Sequence, residues 1–150
     1  LSSMEQIYFG RVMEAVVADE YARRKSRRVV YHGDTAIVRS AEWPFLFASL
    51  DREVTTSAGV PGVLECKNVE EAKLKLWEPD AKEGARKDFE IQLYAQMACT
   101  GYTWGALAAI VGGRRFRTYE YSRDDAFIAA AIPLLEQFWE CVEKRTPPEN

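Results

Sequence analysis

Gly62-Val63-Leu64-Glu65-Cys66-Lys67 is a short apolar run that stops at charge, the pattern of a strand set inside a sheet. Side chains alternate across a strand, so Glu65 and Lys67 share one face and Cys66 points to the other. A Glu-x-Lys is commonly no more than a solvated cross-strand pair. Here it adjoins Val63 and Leu64, and a charged couple is costly to bury without a partner or a metal. The run before it, Phe45-Leu46-Phe47-Ala48-Ser49-Leu50, reads as a neighbouring strand that ends at Asp51. An Asp at the end of one strand and a Glu-x-Lys on the next can converge.

Outward from this pair, Ser2 followed by Glu5 has the form of a capping box. Ile7, Val12, Met13, Val16, Val17 and Tyr21 then recur at helical spacing, which predicts a helix from about Met4 to Ala22. Val29-Val30-Tyr31 and Thr35-Ala36-Ile37-Val38 flank the turn-rich His32-Gly33-Asp34 and predict a hairpin. Polar sequence from Val69 to Lys87 allows a short helix at best. Ile91, Tyr94, Ala95, Ala98 and Cys99 mark a helix closed by Gly101, and Trp104–Val111 and Arg115–Tyr121 read as strands joined at Gly112-Gly113. Ser122 and Asp125 open a last amphipathic helix to about Lys144, stopped by Thr146-Pro147-Pro148. The order α-β-β-β-β-α-β-β-α describes an α/β (α+β) fold, a mixed sheet flanked by helices.

The chain of 150 residues, 47% of them apolar, fits one domain over residues 1–150. The opening Leu1, in place of Met, leaves room for a further N-terminal segment. A formal net charge of -3 argues against a uniformly basic nucleic-acid-binding surface and leaves local patches. Cys66, Cys99 and Cys141 form no CxxC pair, which speaks against a zinc knuckle or a dithiol motif and fits a reducing cytoplasm. No apolar run reaches the ~18 residues that a membrane span needs.

The residues of the central pair suit metal-assisted phosphodiester hydrolysis. Such chemistry needs a divalent cation to lower the pKa of a water and to offset charge on the phosphate, and hard Mg²⁺ prefers oxygen ligands. Asp51 and Glu65 would hold it, the backbone carbonyl of Cys66 would add an oxygen, and Lys67 would orient the water or steady the developing charge. His32, the single histidine, falls in a turn and is not read as a general base. Arg23, Arg24, Lys25, Arg27 and Arg28 would ordinarily be a solvated loop, but an acidic metal centre needs cations to retain phosphate, so Arg23, Arg24, Arg27 and Arg28 are candidates for DNA contact. Trp77 either stacks on an unpaired base or shields a core edge. Trp104, Phe138 and Trp139, with Phe127, Ile128, Ile132, Leu134 and Leu135, are assigned to the core.

Several landmarks in order resemble the λ-exonuclease-like, or YqaJ-like, viral recombinase nucleases of the PD-(D/E)xK superfamily. Gly10-Arg11-Val12-Met13-Glu14 is similar to the family's Gly-x-x-x-Glu helix, and Trp43-Pro44-Phe45 through Asp51 to its Trp-Pro strand ending in a metal-binding Asp. Leu64-Glu65-Cys66-Lys67-Asn68 resembles its central motif, and Gln92 through Thr100-Gly101 its Gln-rich helix. Gly112-Gly113, Arg123-Asp124 and Phe138-Trp139 also stand where the family tends to have such pairs. The resemblance implies a restriction-endonuclease-like fold and a Mg²⁺-dependent deoxyribonuclease, with Mn²⁺ able to substitute, commonly a phage-type 5′-to-3′ exonuclease acting on duplex ends in recombination. It implies Asp51, Glu65 and Glu14 as metal carboxylates, Lys67 as the catalytic lysine and Gln92 at the site's edge. It also implies a single-strand annealing protein as partner, a homo-oligomer such as a trimer, and a bacterial or phage-infected cytoplasm. Nothing matches the family's N-terminal Gly-x-x-Ser segment, and Phe89 stands where Tyr is more usual. Two other readings are a catalytically silent DNA- or protein-binding module on the same fold and a structure-selective or nicking endonuclease of defence or repair.

Overall fold

The computed structural model describes residues 3–34, 36–78 and 87–148. Helix α1 (Ser3–Lys25) is followed by strands β1 (Arg28–Val30), β2 (Ile37–Arg39), β3 (Phe47–Ser49), β4 (Arg52–Thr55) and β5 (Pro61–Val69). A 3₁₀ helix (Glu71–Trp77), α2 (Lys87–Thr100), β6 (Trp104–Val111), β7 (Arg115–Ser122) and α3 (Asp125–Lys144) complete it. The five-stranded sheet runs β1-β4-β5-β6-β7, and β2 and β3 pair separately. Among the described residues only β5 and β6 are parallel; the other ladders are antiparallel.

Strand β5 sits at the centre, and both its faces are covered. Val63 and Val69 join Leu107, Ala109 and Val111 under Leu93 and Met97 of α2. Leu64 and Cys66 join Ala106 and Ala108 under Val17, Ala18 and Tyr21 of α1. A strand covered on both faces reads as an unbroken apolar run, as β6 does from Ala106 to Val111, whereas in β5 Glu65 and Lys67 interrupt it. Helix α3 packs only at the flank, where Ile128 and Ile132 meet Ala98 of α2 and the side chains of Trp43, Phe45 and Leu46.

Helix ends follow the chain's local chemistry. Gly101, at φ +75°, turns the chain out of α2 while its N–H donates to the Met97 carbonyl at 2.9 Å. Asp124, not Ser122, caps α3 by accepting from the Phe127 N–H at 2.9 Å. The Ser2 capping position lies outside the described residues. Helix α1 runs on through Lys25, so the first three basic residues after Ala22 belong to its last turn, where cations favour the helix dipole. Among the described residues no helix is long and apolar enough to cross a membrane.

Four further expectations are corrected. The hairpin of residues 29–38 does not form: β1 pairs with β4 and β2 with β3. Val29 packs into the cluster beneath α1 and Val38 into the one beneath α2, so the two runs are drawn to opposite faces of the sheet. The neighbour of β5 is β4, which follows Asp51, rather than the strand that precedes it. Strand β4 escapes hydrophobic patterning because only Val54 in Arg52-Glu53-Val54-Thr55 is apolar; Arg52 is buried by stacking on Tyr31, 4.2 Å from the ring centroid. The outer face of α3 is not core: Leu134 is 67% and Phe138 55% exposed, and Phe127 and Leu135 are also exposed, because the helix meets the body along one narrow side.

The base-stacking reading of Trp77 is the fourth, and the alternative, shielding of the core, holds. At 1% exposure Trp77 cannot stack on a base; it lies between Phe89 and Tyr119, with centroids 5.7 and 6.2 Å away. Buried tryptophans are among the costliest to truncate, so Trp77→Ala is expected to lower stability by about 3–5 kcal/mol. Urea denaturation followed by circular dichroism checks this; an unchanged midpoint would contradict the burial.

Candidate active site

Glu65 is fully buried on the α2 face of β5. Its Oε1 accepts from the Lys67 ammonium, two residues on along the same face. Its Oε2 accepts from Gln96 Nε2 at 2.7 Å. Gln96, on the inner side of α2, is 1% exposed and also donates to the Ser49 carbonyl at 3.1 Å. Gln92, one helical turn earlier, offers its Oε1 to Lys67 Nζ at 3.4 Å. The ammonium lies 5.0 Å from the Phe89 ring centroid, a cation–π contact that further fixes it.

Asp51 reaches the same stretch from the other side. The β4–β5 ladder runs from Thr55↔Pro61 to Arg52↔Leu64, while β5 continues to Val69 paired with β6. Where the ladder gives out, Asp51 Oδ2 accepts the Cys66 N–H at 2.8 Å. A strand residue directs its N–H and C=O to the same edge, so the Cys66 carbonyl faces the edge that β4 has left. The Cys66 thiol points away beneath α1, where burial pushes its pKa well up.

Glu14, on α1, shares a small pocket of about 110 Å³ with Asp51, Arg11, Tyr31 and Arg52. A second, larger recess of about 820 Å³ runs from Glu14, Cys66 and Lys67 past Phe9 and Met13 to Gly112-Gly113. Both recesses meet at Glu14. Burial raises the Glu14 pKa, the charge of Asp51 adds to it, and Arg52, Lys67 and Arg11 pull it back. Glu65 is raised in the same way, by burial first and then by Asp51, against the pull of Lys67 and Gln96. Three carboxylates thus share one field, with Asp51 common to both shifts.

Among the described residues no three acidic, histidine or cysteine side chains already close on one point. The donor chemistry nevertheless suits a hard divalent cation: the charge of Asp51 adds to the cost of ionising both Glu65 and Glu14, and a backbone carbonyl opens beside them. A cation would relieve that repulsion.

The structure thus gathers Glu14, Asp51, Glu65, Cys66, Lys67 and Gln92, and leaves the basic candidates elsewhere. Arg23 and Arg24 pair with Glu20 at 2.8 and 2.5 Å. Arg27 is structural: it bonds Glu120 on β7 at 2.8 Å and stacks 4.8 Å from the Trp104 ring. Arg28 is exposed on β1, the edge strand. In the sequence Gln96 is one helical turn from Gln92 and both could simply be surface polar residues, so only its burial brings Gln96 into the site; nothing local marks Arg52 as buried.

Residues 2–103 match the YqaJ-like viral recombinase domain, more than half of the chain. The uncharacterized protein YqaJ of Bacillus subtilis (strain 168) is 31% identical over 138 residues, which is 92% of this chain but only 41% of that protein. The fold is similar to the crystal structure of an alkaline exonuclease, LHK-Exo, from Laribacter hongkongensis. The TM-score is 0.74 at 20% identity, over 93% of this chain and 69% of the other. LHK-Exo in complex with dAMP matches at a TM-score of 0.64 and 21% identity, over 92% of this chain and 72% of that one. At such identity the likeness is one of fold. The family match and the YqaJ relative together show that the chain belongs to the YqaJ-like viral recombinase domain family.

Proposed function

We propose that this chain is a Mg²⁺-dependent deoxyribonuclease that shortens duplex DNA from its ends in recombination, with Mn²⁺ able to replace Mg²⁺. The observation that carries the reading is the single open stretch of β5 on which Asp51 is anchored to the Cys66 N–H and Glu65 is coupled to Lys67. Support comes from the family and from the fold shared with an enzyme named an alkaline exonuclease, one structure of which holds dAMP.

A divalent cation, when bound, supplies an activated water and neutralises charge on the phosphate. Asp51, Glu65, Glu14 and the Cys66 carbonyl are the groups that would hold it. Lys67 cannot act as a proton acceptor while it carries its charge; it is the group that steadies the negative charge building on the phosphate. Gln92 and the Phe89 ring restrict where that ammonium can sit. Arg11 and Arg52 line the pocket beside Asp51 and offset the carboxylates toward an incoming phosphate.

Two outcomes are expected. Purified protein should consume end-labelled linear duplex in Mg²⁺, but not in EDTA, and should spare closed circular duplex. Lys67→Ala should slow the reaction at least ~100-fold, the scale of removing one charge-stabilising donor, with its melting curve still cooperative. A fully active Lys67→Ala protein would refute the assignment, and cutting of the circle would move it to an endonuclease. Separately, Mn²⁺ at a hundred times its dissociation constant should stabilise the parent by about 2.7 kcal/mol. Thermal melts of Asp51→Asn should show that gain lost; an equal gain in the variant would remove Asp51 from the metal set.

A further inference from the structure

We infer that Gln96 is a positioning residue that sets the separation of the two carboxylates, by tying the strand that carries Glu65 to the segment that leads into Asp51. The metal-binding half of this inference rests on the nuclease reading, whereas the strand-spacing half does not.

Gln96 Nε2 has two hydrogens and two acceptors, the Glu65 carboxylate at 2.7 Å and the Ser49 carbonyl at 3.1 Å. Ser49 ends β3 and stands two residues before Asp51. Glu65 lies on β5, and the Asp51 carboxylate is fixed to the next residue of that strand, Cys66. The ring therefore closes: Ser49 leads to Asp51 through the chain, Asp51 to Cys66 and Glu65, and Glu65 back to Ser49 through one carboxamide. No ladder bond between β3 and β5 does this, because the two strands lie in separate sheets. Gln96 is the polar link that spans them.

The orientation of the amide is fixed by its neighbours. A backbone carbonyl can only accept and an ionised carboxylate can only accept, so the NH₂ must face both. The consequence is that Oε1 is left buried with no hydrogen-bond partner among the described residues. Such a group is costly, and a position needed only for packing would be better filled by an apolar side chain like Leu93 or Met97 beside it in the core. Retaining an amide with one unsatisfied oxygen is explained by what its nitrogen holds.

The test compares the parent with Gln96→Asn, which keeps the amide but is one methylene too short to span both acceptors, and Gln96→Met, which keeps length and volume without donors. Two readouts are taken: the dissociation constant for Mn²⁺ by titration calorimetry, and amide hydrogen exchange of the metal-free protein. Outer groups that orient ligands typically contribute about 10–100-fold to metal affinity, so both variants should bind Mn²⁺ weaker by about that factor. The Cys66 amide, which Asp51 protects, should exchange more than about tenfold faster, while Leu107 at the sheet centre keeps its rate. Unchanged Mn²⁺ affinity with an unchanged Cys66 rate would overturn the inference. So would an equal loss of protection at Leu107, which would make Gln96 a general core residue. If the parent itself takes up no Mn²⁺, the nuclease reading falls, and the Cys66 rate alone then decides the strand-spacing claim.

Discussion

A carboxylate with no exposure on the central strand constrains the rest of the site. Glu65 can stay ionised there only if other groups replace its water, and the chain supplies two, the Lys67 ammonium and the Gln96 amide. Each replacement then fixes another element. Lys67 must lie two residues along the same face, which requires β5 to stay extended and in register with β6. Gln96 must approach from above, which requires α2 to cross that face with its apolar side, Leu93 and Met97, turned inward. The packing of α2 and the polarity of its buried amide thus answer to one charge.

The second condition is that the sheet stops pairing where the candidate site begins. Strand β4 follows β5 only as far as Leu64, and the Asp51 side chain takes over the hydrogen bond that the ladder would have made at Cys66. Continuing the ladder by two more pairs, Asp51↔Glu65 and Leu50↔Cys66, would draw Asp51 into the sheet and turn the Cys66 carbonyl to a backbone donor. A short β4 is what leaves a backbone oxygen and two carboxylates on one open edge. This also explains why Glu14 can lie beside the others although α1 covers the opposite face: it reaches them around the end of the ladder, not through the sheet.

Much of this was legible in the amino-acid sequence, for identifiable reasons. The long elements carry strong periodic signals, and α2, β6, β7 and α3 lie where spacing and turn residues place them. The Glu-x-Lys and the Asp before it stand out because charge interrupts an apolar run. What was not legible depends on pairing and burial. Val29 and Val38 look alike in sequence, and only the clusters they join separate β1 from β2. Strand β4 has one apolar residue and is made by its partners. Phe138 and Leu134 are as apolar as Ile128 and Ile132, yet only the latter two face a surface that buries them. Trp77 sits in polar sequence and is core because Phe89 and Tyr119, distant in the chain, close over it.

The net charge of -3 is reconciled with phosphate chemistry by where the cations are used. Arg23 and Arg24 are matched by Glu20, Arg27 by Glu120, Arg114 and Arg115 by Glu71, and Arg117 by Glu78. The Glu20 pairs lie within α1, the Arg27 pair ties the α1–β1 link to β7, and the Glu71 and Glu78 pairs tie the 3₁₀ helix and its C-cap to the β6–β7 hairpin; exposed ones among them contribute little energy each. Their guanidinium groups are already shared with carboxylates, so they form no free basic track. Near the proposed centre the positive charge is Lys67, Arg11 and Arg52, set among Glu14, Asp51 and Glu65. For a nuclease built this way, attraction of DNA falls chiefly to the bound cation and to these three side chains. Such a protein should hold its substrate far more weakly once the metal is removed, unlike one that binds through a broad basic face.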